Sequence, residues 1–155
     1  MAMTLDPIDQ RILEQLQRDA ALSNHDLAGR VHVSPATALR RVRRLIETGV
    51  IERQVALLSP DTLGATLTAI VEVTLEAQSA EALAAFEAAV TTEATVQQCY
   101  RVTSGPDFVL VTISTDMAAY HALAARLFTQ ALAVRNVRTF FSVKRVKFGT
   151  EVPLG

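Results

Sequence analysis

A chain of 155 residues, half of them apolar, with a formal net charge of −1, has length for one moderate domain or two small ones and is too apolar to remain disordered. Its one cysteine, Cys99, excludes an internal disulfide and any multi-cysteine metal site, and is expected to be a small reduced hydrophobe in a strand. No apolar run reaches the roughly 18 to 20 residues of a membrane span and the amino terminus lacks a signal-peptide pattern, so the expected location is the cytoplasm, with no membrane partner.

In chain order, Ile8, Ile12, Leu13 and Leu16 recur at helical spacing after Asp6-Pro7, and Leu27, Ala28 and Val31 do so after Ser23-Asn24. A third helix is predicted from Ser34, whose hydroxyl can cap free N–H groups, with Pro35 at the first helical position. At 100° per residue, Ala38, Leu39, Val42, Leu45 and Ile46 share a stripe roughly 120° wide. Thr37, Arg40 and Arg44 point the opposite way, with Arg41 and Arg43 on the flanks. The break Val31-His32-Val33-Ser34 between the second and third helices matches a helix-turn-helix, whose second helix enters the major groove. His32 stands at a turn position that can demand positive φ, and is read as a turn residue. After Gly49, the run from Val50 to Leu58 is β-prone and ends at Ser59-Pro60, the pattern of a winged or strand-extended helix-turn-helix.

Charge supports this reading once it is resolved along the chain. Between Arg30 and Arg53 six arginines face two acids, Glu47 and Glu52, a local net charge of +4. Phosphate attraction acts over about a Debye length, ~8 Å at physiological salt, so the cluster counts for more than the global sum. Guanidinium groups stay charged and can fork onto phosphate oxygens or the guanine edge. Thr37, Arg40 and Arg44 are the expected base-edge contacts, with Ala36, Arg41 and Arg43 nearby and Ser34 capping and touching phosphate. So modest a cluster implies that DNA affinity comes from several copies.

The second half alternates. Leu67, Ala69, Val71, Val73 and Leu75 form one face of a strand, followed by a helix from Ser79 burying Leu83, Phe86 and Val90. Strands are predicted over Val96–Thr103, with Val96, Tyr100 and Val102 on one side, and over Phe108–Thr115 after the Ser104-Gly105-Pro106-Asp107 turn. A helix from Asp116 is expected to bury Met117, Tyr120, Ala124, Leu127 and Phe128, and a last strand runs through Val137, Thr139, Phe141 and Val143. This β-α-β, β-α-β order predicts a ferredoxin-like sheet with helices on one face. The other face, with Thr68, Ile70, Val109 or its neighbours and part of Phe140-Phe141, is too apolar for water, which predicts a homodimer.

The segment from Leu5 to Leu63, with Asp9, Ile12-Leu13, Leu16, Asp19-Ala20, Leu27-Ala28, Val31, Ser34-Pro35, Arg41-Val42, Leu45, Gly49-Val50-Ile51 and Leu63-Gly64, resembles the amino-terminal half of the leucine-responsive regulator and AsnC (Lrp/AsnC) family. His32 departs from a position where that family often carries glycine. The resemblance continues through Cys99, Val102-Thr103-Ser104-Gly105, Asp107, Asp116-Met117 and Tyr120, which look like the family's regulation-of-amino-acid-metabolism domain. It implies an α+β chain: a winged helix-turn-helix of three helices and a short β extension over residues 1–58, a linker 59–65, a ferredoxin-like effector-binding and dimerisation domain 66–148, and a tail 149–155. It further implies a sequence-specific transcription regulator that binds double-stranded DNA as homodimers assembling to tetramers or octamers, under control of a small-molecule effector of amino-acid type.

The expected effector site is Thr103, Ser104, Gly105, Pro106 and Asp107: Gly105 allows close approach, backbone N–H groups can face a carboxylate, and Asp107 can pair with an ammonium. The loop is one residue shorter than the family's common form, and Pro106 removes an N–H donor. Either the pocket is reshaped for a different effector or Gly-Pro-Asp is simply a hairpin turn. No cofactor, metal site or catalytic residue is expected: His25, His32 and His121 fall in different elements, and no phosphate loop or nucleophile elbow occurs. Two alternatives stay open, an architectural protein that wraps DNA and a haem-pathway (sirohaem) decarboxylase-like enzyme of the same architecture, for which His121 is the nominal tetrapyrrole contact.

Overall fold

The computed structural model describes residues 4–64 and 66–154; Ala65 of the expected linker, Gly155 of the expected tail and residues 1–3 lie outside them. The chain divides into two units, Met1–Leu58 together with Lys147–Gly155, and Ser59–Val146.

In the first unit every helix begins where a short polar side chain can serve free N–H groups. Asp6 accepts from the N–H groups of Ile8 and Asp9 at the head of α1 (Pro7–Arg18), and the Asp9 carboxylate returns a bond to the Asp6 N–H, a reciprocal capping box. Ser23 caps α2 (Asn24–Val31) and Ser34 caps α3 (Pro35–Glu47). Ile12, Leu13, Leu27, Val31 and Leu45 form the shared core. His32 closes α2 at φ 57°, the left-handed turn expected at that position. The last residues join this unit: the Gln17 amide donates to the Val152 carbonyl and accepts from the Val152 N–H, and Leu154 packs on the helical core.

The β-prone run after Gly49 forms no ladder, because a strand needs a second strand beside it and none pairs with this segment among the described residues. Val55, Leu57 and Leu58 are exposed there. Only Val50 and Ile51, at the start of the run, pack on the core.

The second unit opens with a single turn, α4 (Pro60–Leu63), capped by Ser59. It continues as β1 (Leu67–Leu75), α5 (Ala80–Thr91), β2 (Val96–Arg101), β3 (Phe108–Ser114), α6 (Met117–Leu127) and β4 (Val134–Phe141), with a 3-10 turn at Gln130–Leu132. The strands lie antiparallel in the order β2-β3-β1-β4, the ferredoxin-like arrangement. Ala69, Val71, Val73 and Leu75 of β1 meet Leu83, Phe86 and Val90 of α5 and Tyr120, Leu123 and Leu127 of α6.

Two expectations shift by local geometry. Between Val96 and Gln98 the β2 register slips by one residue, so Val96 sits opposite buried Thr112 while Tyr100 sits opposite Val109 on the other face; a bulge reverses the alternation beyond it. On α6 Leu123 is fully buried beside Tyr120 and Leu127, whereas Met117, expected in the core, lies in the first turn and is exposed. Phe140 and Phe141 divide between the faces: Phe141 rests edge-on against Tyr120 at 5.1 Å, and Phe140 lies opposite Ile70 on the uncovered face.

Candidate nucleic-acid interface and ligand cleft

The turn between α2 and α3 is fixed from both sides. Asn24 Nδ2 donates to the Pro35 carbonyl at 2.7 Å, and Ser34 Oγ accepts from the Thr37 N–H and shares a 2.9 Å hydrogen bond with the Thr37 hydroxyl. Ser34 and Ala36 are exposed at this end and Thr37 is half-buried. Arg40 and Arg43 project from the exposed side of α3 and make no ion pair among the described residues.

Arg41 and Arg44 behave differently. Asp9, buried to 1% exposure, accepts from Arg41 Nη1 at 2.9 Å on Oδ1 and from Arg44 Nη2 at 2.5 Å on Oδ2, and Asp6 accepts a further bond from Arg41 at 2.6 Å. The Arg41 side chain is 16% exposed and that of Arg44 43%. Two acids and two arginines therefore form one neutral cluster, and counting Asp6 and Asp9 with the basic window lowers its charge from +4 to +2. The Asp9 N–H and the Arg41 guanidinium hold the Asp6 carboxyl down at about 2, and Asp6 and Asp9 raise Arg41 above its ordinary value. Sequence reasoning missed Asp9 as a partner of α3, because nothing in a periodic pattern links position 9 to positions 41 and 44.

In the second unit, residues 101–107 bound a cleft of about 410 Å³ that is also lined by Gln78 and Leu83. Thr103, Ser104, Gly105, Pro106 and Asp107 are brought together there, with Ser104 at φ 62° and Gly105 at φ 137°. Among the described residues the N–H groups of Thr103, Ser104 and Gly105 donate to no protein acceptor. Asp107 is buried and engaged: Oδ2 accepts from the Leu75 N–H at 2.7 Å and Oδ1 from Gln78 Nε2 at 2.7 Å. It fastens the end of β1 to the start of β3, and each oxygen keeps a second lone pair. Arg101 reaches the same cleft and pairs only loosely with Glu87, at 3.8 Å. A smaller neighbouring hollow contains Cys99, which is exposed rather than packed as a core hydrophobe; partial desolvation, with Glu87 beside it, pushes its thiol up.

No group of three or more His, Cys, Asp or Glu side chains suited to a metal occurs among the described residues. His121 is exposed on α6 and contacts the Tyr120 ring edge-on at 6.1 Å. No described helix is long and apolar enough to cross a membrane.

A helix-turn-helix unit joined to a ferredoxin-like domain with a polar cleft is the architecture of a DNA-binding protein with a ligand-binding domain. Residues 5–52 match the winged helix-turn-helix DNA-binding family and residues 68–152 the Lrp/AsnC ligand-binding domain. The chain belongs to the Lrp/AsnC family of transcription regulators. It is 38% identical over 143 residues to the leucine-responsive regulatory proteins of Salmonella typhimurium and Escherichia coli, covering 92% of this chain and 87% of theirs. Among solved structures it is similar to an AsnC family regulator from Agrobacterium tumefaciens (34% identity, TM-score 0.88) and to a transcriptional regulator from Neisseria meningitidis in complex with L-Met (32% identity, TM-score 0.88), each over 97% of both chains. It is thus a DNA-binding transcription regulator with a ligand-binding domain.

Proposed function

We propose that this regulator responds to a free amino acid held in the cleft at residues 101–107. The carrying observation is the juxtaposition in one cleft of Arg101, three undonated backbone N–H groups and the Asp107 carboxylate. The N–H groups and the guanidinium suit an α-carboxylate, and the remaining lone pairs of Asp107 suit an ammonium. The L-Met bound by the Neisseria regulator makes L-Met the first candidate. On this reading Pro106 stiffens the loop and leaves donation to its neighbours. A thermal-shift screen of the twenty amino acids tests it: at least one raises the melting temperature, and Arg101→Ala abolishes that shift while leaving DNA binding in place. No response to any amino acid, or an unchanged response in Arg101→Ala, contradicts the site.

The DNA surface on this reading is the exposed side of α3, with Arg40 and Thr37 reading base edges and Arg43, Ser34 and Ala36 along the backbone. Arg41 and Arg44 border it but are already engaged by carboxylates. The uncovered sheet face, with Ile70 43%, Phe140 41% and Tyr100 55% exposed, is read as the contact with a second copy, which pairs two reading heads on the DNA. Cytoplasmic location and assembly beyond the dimer follow from this reading of the chain as a regulator.

A further inference from the structure

Asp9 lies on α1 and is all but removed from solvent, yet its two carboxylate oxygens each accept a hydrogen bond from a different arginine on the basic side of α3. We propose that Asp9 is a positioning residue for DNA reading: it fixes the rotation of α3 about its axis and withholds Arg41 and Arg44 from phosphate, so that recognition falls to Arg40 and Thr37.

The geometry serves placement better than stability. A single guanidinium could lie side-on across a carboxylate in a bidentate fork. Here one carboxylate is shared by two arginines through their terminal nitrogens, and the Nε atoms of both Arg41 and Arg44 are buried without a hydrogen-bond partner. Buried ion pairs of this kind are weak contributors to net stability and are better suited to fixing register. Positions 41 and 44 are one turn apart on α3, so holding both to one point on α1 restrains axial rotation as well as distance. Rotation of a recognition helix moves every base-reading side chain at once. Arg44 keeps 43% of its side chain exposed and, on the DNA surface proposed above, on which this inference rests, a guanidinium released from Asp9 is free to turn toward phosphate.

The test is Asp9→Asn, which keeps the shape and removes the charge. Binding is measured against a selected operator and against random duplex DNA across a range of salt. The expected result is a loss of preference for the operator of about tenfold, together with a salt slope on random DNA steeper by about one, as Arg44 gains a phosphate. Adding Arg44→Gln to Asp9→Asn then returns the slope to its parent value. A purely structural role lowers only the folded fraction; parent values of the preference and of the slope in the folded variant overturn the proposal. If Asp9→Asn does not fold, Arg44→Gln in the otherwise parent chain decides, because an Arg44 held by Asp9 away from phosphate leaves the salt slope at its parent value when it is removed. An unchanged slope supports the proposal, and a slope shallower by about one shows that Arg44 already touches phosphate and refutes it.

Discussion

Asp6 joins a helix cap and an ion pair in one exposed carboxylate, and its ionisation is held low by the Asp9 N–H first and by Arg41 second. A carboxyl depressed in the folded state stabilises above its unfolded value and loses that contribution as pH falls through its folded value. The window here runs from the ordinary value of 3.8 down to about 2. Thermal melts of the parent and of Asp6→Asn are expected to differ most at pH 5 and above, and to converge as pH falls toward 2. A difference that is constant across this range removes the ion pair from the account. Residue identity alone made Ser34, Pro35 and His32 readable, because capping, proline at the first helical position and a left-handed turn are properties of a residue and its immediate neighbours. The engagement of Arg41 and Arg44 was not readable, because their partners stand 32 to 35 residues away in sequence.

At the scale of elements, the helices and strands follow from period and caps. Asp6, Ser23, Ser34, Ser79 and Asp116 each begin the helix that the pattern placed after them. The alternation in β1 sorts its residues correctly between faces, whereas β2 defeats the same logic at its bulge, where one extra residue exchanges the faces. The fate of residues 50–58 was likewise hidden: strand propensity describes fitness for a ladder, and a ladder needs a partner. The carboxy-terminal segment carries no periodic signal, yet it is bound to α1 by both hydrogen bonds of the Gln17 amide and by a 3.6 Å Arg18–Glu151 pair, and Leu154 packs on the helical core. Gln17→Ala removes two exposed hydrogen bonds and is expected to destabilise the helical unit by about 1 kcal/mol in a denaturant titration followed by helical signal. A change below a few tenths means that the tail merely rests there.

At the scale of the whole molecule, a local charge reduced to +2 by Asp6 and Asp9 is a weak electrostatic footprint for one copy. This strengthens the case for pairing through the sheet face that Ile70 and Phe140 leave uncovered. Phe140→Asp places a charge on that face, opposite Ile70, and is expected to shift the protein toward the mass of one chain by light scattering at micromolar concentration, with the ferredoxin-like core still folded. An unchanged mass places the contact between copies elsewhere.

On the proposed reading, this chain selects a DNA sequence and an amino acid alters that selection. The most direct test is fluorescence anisotropy at fixed salt with a selected operator and a random duplex, with and without the amino acid that gives the largest thermal shift. Operator binding is expected to be at least ~10³-fold tighter than random binding. Adding the amino acid is expected to change operator affinity by about fivefold or more. Equal affinity for both duplexes, unmoved by any of the twenty amino acids, contradicts that reading.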